Sequence, residues 1–337
     1  MISVFALSIT PHLALDILLW VSLALVLSGL AMWPLSYLVA SKCVYDATLR
    51  RKKKDKWSRE PEDLEGNSLK MYAEGKAWQK TVADAKRDVH IVNDGLNLYG
   101  EYYDLGYDRC VIILSGRTES LTYGYYFAQP YAKAGWNILV LDPRAHGMSD
   151  GEFNTVGFEE SRDALAWARH IHDEFGVASI VFHGICIGGA GGIFAMTHDD
   201  CPDYIDGIVI DGTFTNFGES MKNHLIERKK PIFILYDLIN MWMKHYTGHS
   251  MDYGPIDVIE KMSKPMLMLY SREDLYSLPE YSQRLFERAG SEKKRLVWFE
   301  HGAHSMLRVT DPERYDTAIT EFLSENFALI CANENKQ

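Results

Sequence analysis

Apolar and polar positions along residues 88–327 follow two alternating periods. Residues 88–92 and 96–103 show the two-residue alternation of strands, with Asn93, Asp94 and Gly95 between them as a hairpin turn signal. Short, mostly apolar runs follow at 110–114, 137–141, 180–182, 208–210, 266–270 and 295–299, the pattern of strands covered on both faces. Between them, residues 127–134, 159–175, 279–289 and 312–327 carry helical spacing, clearest over 159–175 with apolar positions at i, i+3 and i+4. Strands alternating with helices predict an α/β domain built on a mostly parallel, doubly wound, eight-stranded sheet. The rhythm breaks once, between Asp211 and Met266, where an apolar stretch of helical length lies at 231–243.

Candidate chemistry centres on Cys186. Residues 179–183 read as a strand that runs into Gly184, Ile185, Cys186, Ile187, Gly188 and Gly189, followed by a small-residue helix start at 190–193. This is the G-x-S-x-G strand–turn–helix elbow with sulfur in place of oxygen. Flanking glycines supply the close backbone approach that so sharp a turn needs. In a doubly wound sheet, working residues project from loops after the carboxyl ends of strands. Asp274 follows the 266–270 strand and His304 follows the 295–299 strand, so nucleophile, acid and histidine occur in the chain order of such sites. His304 is expected to be the general base and Asp274 its orienting carboxylate, with Glu273 and His301 as the neighbours closest to competing for those roles. The expected oxyanion hole consists of the N–H groups of Ile187, just after the nucleophile, and Arg117, in the 115–120 loop after the 110–114 strand. Glu119 is the expected partner of the Arg117 side chain; an anionic group on the substrate is the other candidate.

These motifs resemble the α/β-hydrolase superfamily, in particular its lysophospholipase, monoacylglycerol lipase and esterase branch. The resemblance covers about residues 88–327 and rests on the 115–120 loop, the elbow, Asp274, His304 and the 142–151 run. That run, Asp-Pro-Arg-Ala-His-Gly-Met-Ser-Asp-Gly, is similar to the superfamily's D-x-R-G-x-G-x-S loop, with Ala145 in the place of a usual glycine. It implies a structural rather than catalytic role for His146. The elbow by itself is similar to that of dienelactone hydrolases and polyester synthases, which also use cysteine. The resemblance implies that the insertion, about residues 214–262, forms a helical lid whose aromatic and Met side chains line an acyl pocket, face the bilayer or pack onto the main domain.

Sulfur alters the chemistry rather than the geometry. A helix N-terminus and an imidazolium both favour the thiolate. Attack on an ester or thioester carbonyl leaves an acyl-enzyme thioester, which water, an alcohol or an amine can cleave. The expected function is therefore hydrolysis of a carboxylic ester or thioester, lipid-derived ones included, with no metal or organic cofactor. Acyl transfer by the same triad is one alternative. The other is a catalytically inactive, membrane-tethered interaction module in which Cys186 is an inert, small buried residue.

The N-terminus changes the setting. Residues 17–39 contain no charge and are long enough to cross a bilayer, with Trp20, Trp33 and Tyr37 towards the ends. No Lys or Arg precedes them, unlike a cleaved signal peptide. Lys42, Arg50, Arg51, Lys52, Lys53, Lys54, Lys56 and Arg59 all follow, so the positive-inside rule predicts a single-pass protein with its catalytic domain in the cytoplasm. The expected organisation is a membrane anchor at 1–41, a basic linker and leading helix (68–86) at 42–86, and the hydrolase domain at 87–330. Net charge over the 337 residues is −11, and the first 60 residues are net positive, so the acidity belongs to the remainder and disfavours nucleic-acid binding. Cys43, Cys110, Cys186, Cys201 and Cys331 show neither a disulfide framework nor metal spacing, which fits a reducing compartment. Oligomeric state leaves no trace in the sequence.

Overall fold

The computed structural model describes residues 11–53, 57–60 and 64–327. Lys54, Lys56, Cys331 and positions 328–330 of the expected hydrolase domain lie outside the described residues. Eight strands form one sheet: β1 (Lys86–Asn93), β2 (Leu96–Tyr103), β3 (Arg109–Leu114), β4 (Asn137–Leu141), β5 (Ser179–Ile185), β6 (Ile205–Asp211), β7 (Met266–Ser271) and β8 (Lys294–Phe299). Their spatial order is β1-β2-β4-β3-β5-β6-β7-β8. Strands β3 to β8 are mutually parallel, whereas β2 runs antiparallel to both β1 and β4. The β1–β2 hairpin turns on Asp94 and Gly95, both at positive φ, as a two-residue connection requires.

Ten helices accompany the sheet among the described residues: α1 (Pro11–Leu49), α2 (Gly66–Thr81), α3 (Leu121–Lys133), α4 (Phe158–Phe175), α5 (Ile187–Met196), α6 (Phe217–Glu227), α7 (Leu235–Thr247), α8 (Pro279–Arg288), α9 (Leu307–Thr310) and α10 (Pro312–Asn326). Two helix boundaries differ most from the sequence pattern. Helix α3 starts at Leu121 rather than 127, because its first turns are buried on several sides and carry no amphipathic stripe. Helix α2 ends at Thr81, since Lys86 already pairs with Tyr103 in the sheet.

The apolar central strands feed two cores at once. Cys110, Ile112 and Leu114 of β3 pack with Leu139, Phe182 and Trp167 on one face, while Val111 and Ile113 pack with Val140, Val181 and Phe127 on the other. Successive strand side chains point to opposite faces, so a strand covered by helices on both sides has no polar position to spare.

A third apolar cluster lies above the elbow and joins α6 and α7 to the far end of α1. Helix α1 is exposed and apolar over most of its length and is long and apolar enough to cross a bilayer. It continues to Leu49, and Ser41, Tyr45 and Leu49, spaced four apart, turn one buried face onto the domain. Tyr45 and Leu49 join Phe217, Met221 and Ile239 in that cluster, and Trp242 Nε1 donates to Ser41 Oγ at 3.0 Å.

Residues read from sequence as a basic linker are held against the 142–153 loop. Arg51 donates to the carbonyls of Ser149 at 2.9 Å and Gly147 at 2.7 Å, and Arg59 Nε reaches Asp142 Oδ2 at 2.8 Å. Trp57 stacks on His146 with ring centres 4.4 Å apart. Lys42 and Lys52 both pair with Asp46.

Candidate active site

Strand β5 ends at Ile185 and α5 begins at Ile187, leaving Cys186 alone at the turn with φ 51° and ψ −111°. A positive φ is strained for a residue with a side chain, and such strain concentrates at functional sites. Here the Cys186 N–H donates to Asp211 O at 2.8 Å, and the Cys186 carbonyl accepts from Thr213 Oγ1 at 2.9 Å. Both anchors come from the end of β6, the neighbouring strand. The flanking glycines are required by space. A Cβ on Gly184 would lie 2.4 Å from Gly189 Cα, and one on Gly188 would lie 1.9 Å from the Leu114 carbonyl oxygen. This close approach brings the N-terminus of α5 against the end of β3.

His304 meets Cys186 from the loop after β8. Its Nδ1–H donates to Asp274 Oδ2 at 2.7 Å. Asp274, in the loop after β7, is held in turn by the N–H groups of Tyr276 at 2.8 Å and Ser277 at 2.9 Å on its other oxygen. Burial works against an imidazolium at His304. The negative charges of Cys186 and Asp274 and hydrogen bonds to both side chains outweigh it, so the imidazole pKa lies well above its usual value. Glu273 and His301 are not part of this convergence; they pair with each other at 3.0 Å on the exposed rim.

The 115–120 loop is pinned at three points. Glu119 Oε2 accepts the Gly116 N–H at 2.9 Å, His146 Nε2 lies 2.7 Å from the Arg117 carbonyl, and Arg117 Nη1 donates to the Thr48 carbonyl at 3.1 Å. Neither the Arg117 nor the Ile187 N–H has a hydrogen-bond acceptor among the described residues. The expected Arg117–Glu119 ion pair does not form. Glu119 turns back to its own loop, because Gly116 is three residues away and ready to donate. His146 contacts only structural partners: its Nδ1 lies 2.8 Å from the Arg144 carbonyl. Ala145 holds φ 63°, the left-handed conformation that makes glycine the easier choice there.

A cavity of about 190 Å³ opens onto Cys186 and His304. Its walls include Thr48 from α1, the loop residue Arg117, and Phe217, Met221 and His224 from α6. The end of the N-terminal helix therefore closes part of the site, and α6 supplies its apolar roof.

Sequence reasoning missed two buried carboxyls beside Cys186, His304 and Asp274. Asp211 ends β6, and burial pushes its carboxyl up to about 7; a hydrogen bond from Tyr315 and the charge of His304 lower it, and the charge of Asp274 raises it. Its Oδ2 accepts from Tyr315 at 2.8 Å, while Oδ1 has no partner among the described residues. Burial likewise lifts Glu119 to about 7. The position of Asp211 at a strand's carboxyl end was visible in the sequence, but its burial was not.

Asp211 gives a pH-dependent stability with a definite sign. Its folded-state value lies above the ordinary 3.8, so the native chain keeps a proton that the unfolded chain has released. Its contribution is full below about pH 4 and is lost as pH rises towards 7. Asp211→Asn removes the ionisation, so the stability difference between variant and wild type should drift in the variant's favour from pH 5 to 7.5 and then level. At about 1.4 kcal/mol per unit the drift is on the order of a few kcal/mol. Urea unfolding at four or five pH values measures it, and a pH-independent difference would remove Asp211 from the account.

Comparison with known proteins identifies the architecture. A profile of the alpha/beta hydrolase fold family matches residues 109–242. An uncharacterized protein of Bacillus subtilis, YqkD, is 27% identical over 219 residues, covering 63% of this chain and 70% of YqkD. Among solved structures, an esterase of Pyrococcus furiosus superposes with a TM-score of 0.62 at 24% identity, over 73% of this chain and 93% of its own. The structure of DcsB with a substrate analogue superposes at 0.60 and 19% identity, over 72% of this chain and 99% of its own. The chain has the α/β-hydrolase fold, with one N-terminal helix long enough to span a membrane.

Proposed function

We propose that this chain is a membrane-anchored hydrolase of carboxylic esters or thioesters that works through Cys186, His304 and Asp274. The observation that carries the reading is the meeting of three distant segments: a cysteine on a strained elbow, a histidine facing it, and a buried carboxylate bonded to that histidine at 2.7 Å. The fold shared with the Pyrococcus esterase supports ester chemistry.

The steps follow from the geometry. His304 takes the thiol proton, and the Cys186 sulfur adds to the carbonyl carbon. The resulting oxyanion is bound by the Arg117 and Ile187 N–H groups, which are free for that purpose. Collapse of the tetrahedral centre expels the alcohol or thiol, which receives the proton from His304, and leaves an acyl thioester on Cys186. Water, activated by His304, then releases the acid. Asp274 holds the ring orientation and stabilises the imidazolium. Helix α1 anchors the protein in a bilayer, and the basic residues after it place the domain on the cytoplasmic side.

Intact-mass analysis after exposure to a panel of acyl esters tests the reading. Wild type should gain the acyl mass, and His304→Ala should gain it at least about 100-fold more slowly, the scale of lost general-base assistance. Cys186→Ser should lose the long-lived adduct if thioester breakdown is slow. An acyl adduct that persists in a Cys186→Ala variant would place the nucleophile elsewhere.

A further inference from the structure

We propose that the Arg117 side chain recognises an anionic group, a carboxylate or a phosphate, carried by the ester that Cys186 attacks. The inference rests on the reading of Cys186 as the nucleophile and extends it to substrate class.

Arg117 borders the same cavity as Cys186 and His304. Among the described residues its guanidinium makes one hydrogen bond, from Nη1 to the Thr48 carbonyl, and no ion pair. Nε and Nη2 have no partner there either, yet they are not among the buried polar atoms sealed from solvent. A guanidinium has five donors in a planar fork that matches carboxylate and phosphate geometry. Arg117 is half-buried, so these donors face the solvent-filled cavity and are open to a ligand without a protein partner first being displaced.

The surroundings make the position selective for negative charge. His224 shares the cavity wall, and burial together with the positive charges of Arg228 and Arg117 holds its pKa below the usual range. The nearby carboxylate, Glu119, is committed to the Gly116 N–H and is lifted to about 7 by burial. Phe214, Phe217 and Met221 add an apolar lining to the same cavity. The cavity therefore suits a compact acyl body with a charged end.

The test uses full-length protein in detergent micelles and matched ester pairs. One pair is 4-nitrophenyl hydrogen adipate and its neutral methyl ester; the other is an acyl glycerol 3-phosphate and the corresponding acylglycerol. The readout is the second-order rate of Cys186 acylation by intact mass. Wild type should favour the charged member of one pair by roughly 10- to 100-fold, the scale of hydrogen bonds to a charged group, and the favoured pair tells carboxylate from phosphate. Arg117→Gln keeps the backbone N–H and should bring that ratio to within about threefold of one, with Arg117→Lys in between. A wild-type ratio at or below one in both pairs overturns the inference, as does a ratio that Arg117→Gln leaves unchanged. If Arg117→Gln slows both members equally and lowers thermal stability, Arg117 is a clamp on α1 through Thr48, and the inference fails. Absence of acylation by all four esters removes the nucleophile reading and this inference with it.

Discussion

Cys186→Ala should lower ester turnover by at least about 10⁴-fold, because removing one member of a nucleophile–base–acid unit forfeits nearly all that the unit provides. The fold should survive. Cys186 is followed at once by α5, and its backbone bonds to Asp211 and Thr213 do not involve the sulfur. The loss should therefore appear in kcat with unfolding by urea little changed. His304 should respond as well. Interaction with the Cys186 side chain is one of the contributions that raise its pKa, so in the alanine variant its NMR titration should move to lower pH. A variant with wild-type turnover would show that the elbow is scaffolding and that other groups perform the chemistry.

The second large effect is structural. Gly188→Ala should abolish folding or cost more than about 3 kcal/mol, the range reached when overpacking has no escape. The added carbon would meet the Leu114 carbonyl oxygen at 1.9 Å and its carbon at 2.5 Å. Both are backbone atoms at the end of β3, a strand hydrogen-bonded on both sides by β4 and β5. Neither can step aside without unzipping the middle of the sheet. Gly191→Ala is the control, three residues along the same helix, where nothing lies nearer than 3.6 Å. It should be neutral or stabilise by up to about 1 kcal/mol, the helix preference of Ala over Gly. Equal behaviour of the two variants in urea unfolding would show that the close approach at Gly188 carries no weight.

The contrast between these glycines marks how far local pattern reaches. Apolar runs such as 110–114 and 137–141 pointed to strands covered on both faces because they are too short for a buried helix and alternate with helical segments. The elbow was legible for a related reason: a strand pattern, glycines around Cys186 and a small-residue helix leave few backbone solutions. Asp274 and His304 could be named because they follow strands whose carboxyl ends had already been located. The start of α3 was not legible, since a helix buried on several sides has no stripe.

Partnerships between distant segments lie beyond such patterns. Glu119 is near Arg117 in sequence, yet the Gly116 N–H captured it, and Arg117 turned to Thr48, a residue 69 positions away. The four-residue spacing of Ser41, Tyr45 and Leu49 permits a buried face, but only the arrival of α6 and α7 gave that face something to cover. Asp211 looked like any acid at a strand end until Tyr315 and the packed sheet enclosed it. Periodicity along a chain records which face of an element turns inward. The identity of the neighbour, the donor left free and the carboxyl deprived of water depend on segments that meet only when the whole chain has packed.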